Sequence, residues 1–230
     1  MSQFNNPKYQ QLIDYLNNNV RSAWVGHSVV AMWLVNKYKP AIIVDCGTDK
    51  CFSAACLASE GIGKVYTIDS FLGDQNAGFN ISSLELVKNT YATLLKNKLL
   101  QNDNIQFVKG FFHDVKDMFA DKSVDLIHLD GLHTIGAITQ DFEDYFPKLT
   151  DNGIMLFHDV ISFPDTVGKF FFGLPYPKTY LSNSAGLGIL SRNQSIIDEI
   201  NKMWVNRLYD YNSYLLKHHD HPEFNILKNF

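Results

Sequence analysis

The sequence has 230 residues and a mass of 26.2 kDa, which suits one domain of ordinary to large size. Hydrophobic residues make up 46% of the chain and charged residues 19%, enough apolar material for a core and too little charge for a disordered protein. The net charge of −4 argues against nucleic acid as the main partner, because duplex-binding proteins carry a basic stripe. No apolar run approaches the roughly 20 residues of a membrane helix, and the polar N-terminus lacks the apolar segment of a secretory signal.

Three cysteines, Cys46, Cys51 and Cys56, lie close together in the sequence. An odd number of cysteines makes a poor disulfide framework, and this even spacing matches no common zinc motif. We therefore expect three reduced thiols in or near a core. This pattern, with no secretory or membrane segment in the sequence, predicts a cytoplasmic globular protein without a membrane partner.

The chain is predicted to begin with a helical lead-in. Asn6 is expected to cap the first helix, with Pro7 at its first position, and a second helix is predicted over residues 27–37. Short apolar runs rich in β-branched residues then alternate with helical segments, one of which starts at Ser83. The predicted strands cover residues 41–48, 64–71, 105–110, 124–131 and 154–160, with a turn at Asn152 and Gly153 before the last of them.

Strands that alternate with helices predict right-handed crossovers and a mainly parallel sheet with helices on both faces. Two later runs, residues 178–182 and 186–191, are predicted to form an edge hairpin around Asn183 and Ser184. No linker is long enough to divide the chain, so we predict one doubly wound, Rossmann-like α/β domain over residues 1–230. Its parts are the lead-in over 1–40, a core over 41–192 and a helical tail over 193–230.

Polar residues and glycines follow the predicted parallel strands at the point where each strand ends. In doubly wound sheets, ligands bind beyond the carboxyl ends of the strands, and all five strands place such residues there. One acid at a strand end is weak evidence, but five strands with the same feature predict a binding site. The residues in question are Asp45, Gly47, Asp69, Gly110, Asp130, His133, His158 and Asp159.

The ends of the first two strands suit a nucleoside. Gly47 allows a ligand to approach the backbone, and Asp69, about 20 residues later, can accept hydrogen bonds from ribose hydroxyls. The loop is not GxGxxG, and Asp49 within it would repel a phosphate. A nucleoside without phosphates is therefore favoured over a dinucleotide.

The ends of the fourth and fifth strands suit a divalent cation. Asp130, His158 and Asp159 are expected to converge, and two carboxylates with an imidazole form an oxygen and nitrogen donor set with positions left for a substrate. His133 lies three residues beyond Asp130 and is a candidate proton acceptor. The alternative is that the acids cap helices and the histidines hydrogen-bond within the fold.

Four segments together resemble a known family. They read VDCGT at residues 44–48, VYTIDSF at 65–71, VDLIHLDGLHTIGAITQDFEDYFPKLTDNGIMLFHD at 124–159, and GLGIL at 186–190. They resemble the class I S-adenosylmethionine-dependent methyltransferases, and most closely the metal-dependent sugar O-methyltransferases of macrolide and polysaccharide pathways. The likeness covers roughly residues 41–192. It implies a seven-stranded sheet with an antiparallel last strand, which fits the two late strand runs.

The resemblance also implies which residues bind S-adenosylmethionine. The first-strand positions would lie against its methionine part, Asp69 would hold the ribose hydroxyls, and the aromatic pair after the third strand would border the adenine. The chain departs from the family at Cys51, where a glycine is usual, and a side chain there is expected to crowd the cofactor loop. The full set of expected cofactor contacts is Asp45, Gly47, Thr48, Asp69, Ser70, Phe71, Gly110, Phe111, Phe112 and Asp130.

The same resemblance implies a metal site and a catalytic base. Asp130, His158 and Asp159 match the divalent-metal ligands, His133 matches the general base, and Asp130 is also expected to be catalytic. Magnesium is the expected cation, with manganese or calcium as alternatives. A divalent cation that chelates two adjacent hydroxyls lowers their pKa and orients them, so the expected activity is O-methyl transfer to a sugar hydroxyl.

The acceptor is expected to be a small molecule, a glycan or a glycosylated metabolite, and the chain is compatible with a homodimer. Two alternatives stay open: a catechol-type phenol, whose adjacent hydroxyls chelate the same cation, and a non-catalytic binding module that kept the fold. Trp24 and His27 are expected near the mouth of the substrate site. The histidine-rich run at residues 217–221 is interpreted as a solvated tail rather than a metal site.

Overall fold

The computed structural model describes residues 7–73 and 83–204. The lead-in consists of α1 (Pro7–Asn19), a short 3-10 helix (Ala23–His27) and α2 (Ser28–Tyr38). The second helix, predicted over residues 27–37, corresponds to α2, and the 3-10 helix precedes it. The predicted cap Asn6 lies outside the described residues.

The core alternates strands and helices. Its first half contains β1 (Ile42–Cys46), α3 (Phe52–Leu57), β2 (Lys64–Asp69), α4 (Leu84–Lys96), β3 (Ile105–Lys109) and α5 (Phe112–Val115). Its second half contains β4 (Val124–Leu129), α6 (Ile135–Tyr145), β5 (Leu149–His158), α7 (Lys169–Gly173), β6 (Lys178–Leu181), β7 (Leu187–Ser191) and α8 (Gln194–Met203). Side-chain caps start three of the described α-helices: Ser83 accepts from the Leu86 N–H at α4, Thr134 from the Ala137 N–H at α6, and Asn193 from the Ser195 N–H at α8.

The seven strands form one sheet in the order β3-β2-β1-β4-β5-β7-β6. All pairs from β3 to β5 are parallel, whereas β7 runs antiparallel to both of its neighbours. This arrangement confirms the predicted doubly wound sheet with an antiparallel last strand. Because strand order reverses beside β1, the crevice between β1 and β4 is where such sheets bind ligands.

Two apolar layers cover the sheet, since successive side chains of a strand point to opposite faces. Ile43, Leu126 and Leu156 pack on one face with residues of the lead-in helices, α3 and α8. Val44, Ile127 and Met155 lie on the other face, with residues of α6 and α7. Burying a side chain of this kind stabilises the fold by about 1.5–3 kcal/mol, so both layers are substantial.

The predicted turn at Asn152 and Gly153 is wrong, because these residues form a bulge within β5. β5 already pairs with β4 at Leu149 opposite Val124, and the next pair is Ile154 opposite Leu126. The strand therefore advances five positions while its neighbour advances two, and residues 150–153 bulge out of the ladder. Asn152 and Gly153 lie in this bulge, because pairing of the backbone on both sides outweighs their local preference for a turn.

The hairpin at the end of the sheet binds the beginning of the chain. The Asn183 side chain donates to the Gly26 carbonyl at 2.8 Å, and the Ser184 hydroxyl donates to the Ala23 carbonyl at 2.8 Å. Asn183 is fully buried, so its hydrogen bond is shielded from water. The predicted β6–β7 turn therefore also holds the 3-10 helix in place.

The described part of the predicted tail is α8, which ends at Met203. The rest of that tail, including the run at residues 217–221, lies outside the described residues. None of the helices within the described ranges is long and apolar enough to cross a bilayer.

Candidate active site

The loops that follow β1, β2 and β4 meet at the carboxyl edge of the sheet. The Gly47 N–H donates to the Ile68 carbonyl, and the Asp130 N–H donates to the Cys46 carbonyl, each at 2.9 Å. Gly47 has a φ of 108°, a left-handed value that favours glycine. These bonds place the first residues of each loop next to one another, as the pattern of strand ends predicts.

Asp69 organises the loop after β1. Its Oδ2 accepts from the backbone N–H groups of Thr48 and Asp49, each at 3.1 Å, and its Oδ1 accepts from the Phe71 N–H at 2.7 Å. Burial raises the pKa of Asp69, although these three hydrogen bonds act in the opposite direction. Oδ1 accepts one of these bonds and keeps a second lone pair, so it can still accept a hydrogen bond from a ligand.

Asp45 lies below this edge and is fully buried. Its Oδ1 meets His128 Nδ1 at 2.7 Å, and its Oδ2 accepts from the hydroxyls of Ser53 and Thr67. Thr48 is also buried, and its hydroxyl lies 2.7 Å from that of Thr67. The structure thus gives Asp45 internal partners, and its expected place beside the methionine part of a cofactor stays a prediction.

The expected adenosine contacts divide into exposed and buried groups. Phe111 follows β3 and is 58% exposed, which is unusual for a large aromatic side chain and leaves its ring free for a ligand. Phe71 is buried in the apolar layer, and Phe112 packs beside Gly131. Ser70 and Gly110 are partly exposed at the same edge. Phe111 is therefore the aromatic residue best placed to border a base.

Four side chains converge where β4 and β5 end, and we call them the edge cluster: Asp130, His133, His158 and Asp159. His133 Nε2 lies 2.8 Å from Asp159 Oδ2 and 3.6 Å from Asp130 Oδ1. His158 Nδ1 lies 3.1 Å from Asp159 Oδ2 and 3.3 Å from Asp130 Oδ2. One ligand atom from each of Asp130, His133 and Asp159 lies within 4.8 Å of the others, a spacing that could hold a metal ion. The donor set of oxygen and imidazole nitrogen fits a hard or borderline divalent cation.

The charges in the edge cluster stabilise one another. Burial alone would lower the pKa of both histidines, but Asp130 and Asp159 outweigh it, raising the pKa of His158 to about 10 and that of His133 to about 9. Burial raises the pKa of the two acids, yet their contacts with the histidines hold the pKa of Asp130 and of Asp159 below the usual range. Without a cation, the cluster therefore consists of two imidazolium ions and two carboxylates at neutral pH.

Two further features hold the cluster in shape. The ring of His133 stacks on that of Phe163, with centroids 4.1 Å apart and planes 20° from parallel. Asp159 has a φ of 65°, a left-handed conformation that is uncommon for residues other than glycine. Strained backbone of this kind concentrates at functional sites, where the surrounding structure enforces it.

The structure corrects the expected place of Trp24 and His27. Both are buried, so they do not lie at the mouth of a site but pack behind His158.

Two buried residues near the site, His128 and Asp141, were not predicted from the sequence. A histidine inside an apolar strand signals a buried polar partner, which could have indicated His128, whereas Asp141 carries no such signal on its helix. Burial and the charge of Asp144 raise the pKa of Asp141 to about 7.

Comparison with known proteins places this geometry in a family. A family model described as a methyltransferase domain matches residues 44–160, which is just over half of the chain. The chain belongs to this methyltransferase family. The matched segment of the methyltransferase contains Asp45, the loop after β1, Asp69 and the whole edge cluster.

One curated relative of the methyltransferase is an uncharacterized protein of Sinorhizobium fredii. It is 32% identical over 149 residues, which is 60% of this chain, and the chain spans only 15% of the length of that relative. This match therefore supports the presence of a shared domain. It indicates no activity, because the relative is described as uncharacterized.

Solved structures share the fold of the methyltransferase. A proposed caffeoyl-CoA O-methyltransferase of Staphylococcus aureus has a TM-score of 0.55 and 17% identity, covering 80% of this chain and 99% of its own. A methyltransferase of Podospora anserina, solved with SAH bound, has a TM-score of 0.53 and 14% identity over 82% and 96%. A methyltransferase of Geobacter sulfurreducens has a TM-score of 0.57 and 13% identity over 82% and 91%. At such low identities, these likenesses show the fold alone.

Proposed function

We propose that the protein is an S-adenosylmethionine-dependent O-methyltransferase that acts on a hydroxyl of a small molecule, with a sugar bearing two adjacent hydroxyls as its acceptor. The observation that carries this proposal is the edge cluster, which brings two carboxylates and two imidazoles together beside the loop held by Asp69. Hydroxyl methylation needs the acceptor to be aligned and its proton removed, and these residue types can do both.

The cofactor side of the proposal rests on the loops after β1, β2 and β3. Oδ1 of Asp69 keeps a lone pair for a ribose hydroxyl, and the exposed ring of Phe111 can pack against a base. S-adenosylmethionine supplies an electrophilic methyl group on a sulfonium centre. Asp49 would repel a phosphate, and it lies 3.6 Å from the loop's own Lys50, so the loop suits this uncharged nucleoside end. The SAH bound to the Podospora anserina methyltransferase supports the same choice of cofactor.

The cation side rests on the donors of the edge cluster. Asp130, His158 and Asp159 would hold a divalent cation, and magnesium is the cation we propose, with manganese or calcium as alternatives. A bound cation would orient two adjacent hydroxyls and lower their pKa. The two acids already approach both histidines within 3.6 Å, so the donors are brought together without a rearrangement of the strands.

His133 is the proposed general base, with Asp130 beside it. The two carboxylates raise the pKa of His133 to about 9, so without a cation this histidine keeps its proton at neutral pH. A cation between the carboxylates would compensate their charge, and the pKa of His133 would fall towards its ordinary value near 6.5. His133 could then accept the hydroxyl proton at Nε2 while Phe163 holds its ring in place.

A catechol-type phenol is the second candidate acceptor. Leu132, Ile135 and Ile161 flank the edge cluster in sequence and are each more than 40% exposed, so the mouth of the site has an apolar character. An aromatic ring could cover these side chains while its adjacent hydroxyls meet the same donors.

We further propose that neither nucleic acid nor a membrane is a partner, that the protein acts in the cytoplasm, and that a homodimer is compatible with the fold.

The decisive experiment is a screen of sugar and catechol acceptors with isotopically labelled S-adenosylmethionine, run with and without a chelator. We expect transfer to acceptors with two adjacent hydroxyls, loss of transfer with the chelator, and a reduction of about 100-fold or more in His133→Ala. Glu143→Ala, an exposed position on α6, is the matched control and should keep full activity.

Calorimetry with S-adenosylmethionine separates the enzyme from a non-catalytic binding module. No detectable binding, with or without magnesium, would exclude the enzyme. Full activity in His133→Ala, or in the presence of a strong chelator, would exclude the proposed base or the proposed cation.

A further inference from the structure

Four aromatic side chains form a buried group behind the edge cluster, and we call it the ring cluster: Trp24, His27, His128 and His158. Ring centroids are 5.4 Å apart for His27 and His158, 6.3 Å for His128 and His158, and 4.6 Å for Trp24 and His128. All four residues are at most 3% exposed. His158 belongs to both clusters, so it links the candidate cation site to the interior.

His128 enters the ring cluster with its proton position set. It lies on β4 in register with Asp45 on β1, and its Nδ1 meets Asp45 Oδ1 at 2.7 Å. A carboxylate accepts hydrogen bonds, so Nδ1 of His128 carries a proton that it donates to Asp45. Nε2 of His128 has no hydrogen-bond partner among residues 7–73 and 83–204.

His158 turns one nitrogen to each cluster. Its Nδ1 lies within 3.3 Å of carboxylate oxygens of Asp130 and Asp159, although neither nitrogen of the ring has a hydrogen-bond partner of good geometry within the described part of the chain. A histidine that binds a metal through Nδ1 must carry its proton on Nε2, and that proton is usually donated to a nearby acceptor. The orientation of His158 therefore requires an acceptor inside the ring cluster.

His27 is the acceptor that the distances favour. Two imidazoles joined by a hydrogen bond of ordinary length have centroids about 5 Å apart when their nitrogens point at each other. The centroids of His27 and His158 are 5.4 Å apart, so a small rotation of the rings would bring two nitrogens into hydrogen-bond distance. The centroids of His128 and His158, at 6.3 Å, are too far apart for such a bond. Both nitrogens of His27 lack a partner in the described ranges.

We propose that His27 is a positioning residue of the candidate cation site, which accepts the Nε2 proton of His158 and so keeps Nδ1 of His158 directed at Asp130 and Asp159. Buried polar groups nearly always have a partner, and an unpaired one is destabilising, which gives this bond its driving force. The inference rests on the cation site of the proposed function.

The alternative of a second metal site in the ring cluster is not favoured. Among the described residues, the ligand-atom spacing that could hold a metal ion occurs at Asp130, His133 and Asp159, and neither His27 nor His128 belongs to that group. The position of His27 is also held from outside, because the carbonyls of Gly26 and Ala23 accept hydrogen bonds from the β6–β7 turn. These bonds fix His27 beside His158, which suits a supporting role.

The test uses the full chain and magnesium ions. In the magnesium-loaded wild type, labelled with 15N at histidine, we expect NMR spectra to show His158 protonated at Nε2 and not at Nδ1. By calorimetry, His27→Phe, which keeps a ring and removes both nitrogens, should bind magnesium at least about tenfold more weakly. His27→Gln, which restores an acceptor, should bind within about threefold of the wild type. Val25→Ala, on the same 3-10 helix, controls for a loosened lead-in and should also stay within about threefold.

Wild-type magnesium affinity in His27→Phe would overturn the inference and leave the proposed function intact. Protonation of His158 at Nδ1 in the loaded wild type would overturn it as well, and this result needs no variant to fold. If the wild type binds no divalent cation, both the inference and the proposed cation site are wrong. Calorimetry with S-adenosylmethionine then still tests, independently, whether the protein binds the proposed cofactor.

Discussion

A β-carbon on Gly47 would overlap the backbone carbonyl oxygen of Asp130. The loop that is proposed to bind the cofactor therefore touches the backbone of a proposed metal ligand, with no room for a side chain between them. Gly47 also has a left-handed φ of 108°, so two independent constraints require glycine at this position. Gly47 therefore couples the proposed cofactor loop to the proposed cation site.

Gly47→Ala should disturb both halves at once. The extra methyl group must push the Asp130 carbonyl away, and the left-handed backbone adds strain, so we expect a loss of about 2–4 kcal/mol in the free energy of unfolding together with weaker cofactor binding. Chemical denaturation and calorimetry measure the two effects. Gly136→Ala is the matched control, because a β-carbon there meets nothing within 4 Å. Unchanged stability in Gly47→Ala would contradict the close contact.

Cation binding should be pH-dependent and release protons. In the edge cluster without a cation, His158 titrates at about 10 and His133 at about 9, and a cation competes with these protons. Affinity should therefore rise with pH, by about tenfold or more between pH 6 and pH 8, for either magnesium or manganese. Calorimetry in buffers of different ionisation enthalpy counts the protons released. His133→Asn should release fewer protons than the wild type, and an affinity independent of pH would contradict the cluster's charge state.

Asp141→Asn should stabilise the protein at alkaline pH. The pKa of Asp141 is raised to about 7 in the folded state, from an ordinary value of 3.8 in the unfolded chain, because burial and Asp144 disfavour its charge. Between these values the folded state binds the proton that the unfolded state has lost, so wild-type stability falls as pH rises from about 4 to 7. The variant lacks this loss and should gain on the order of 3 kcal/mol relative to the wild type between pH 4 and pH 8.

Urea denaturation at several pH values measures this difference. Asp117→Asn, at an exposed position, should show no comparable change with pH. A difference between Asp141→Asn and the wild type that is the same at pH 4 and pH 8 would show that Asp141 is ionised throughout.

Cys51→Ala should leave cofactor binding unchanged. The family pattern leads to the expectation that a side chain here crowds the cofactor loop, yet Cys51 is fully buried and its side chain packs in the apolar layer. Its φ of 73° is left-handed, so the backbone already has the shape that glycine would give it. We expect S-adenosylmethionine affinity within about twofold of the wild type and a loss of about 1–2 kcal/mol from the buried sulfur. A large gain in affinity would show that Cys51 does obstruct the loop.

The convergence of Asp130, His158 and Asp159 could be predicted from the sequence because parallel neighbours end at the same edge of a sheet. The sheet itself followed from short apolar runs alternating with helices. The bulge at residues 150–153 could not, since local turn preference competes with backbone pairing that depends on β4. The placement of the 3-10 helix that carries His27 depends on the hydrogen bond between Gly26 and Asn183, which are 157 positions apart, and no local pattern reports such a contact.

The hydrogen bonds between the β6–β7 turn and the 3-10 helix have a consequence for folding during synthesis. The carbonyls of Ala23 and Gly26 bind side chains that are made 161 and 157 positions later. At typical rates of translation, the lead-in emerges from the ribosome on the order of ten seconds before Asn183 exists. We expect the nascent chain to keep Trp24 and His27 accessible for that interval and to enclose them only as one of the last events of folding, so a ribosome stalled before residue 183 should present a protein whose edge cluster is not yet supported.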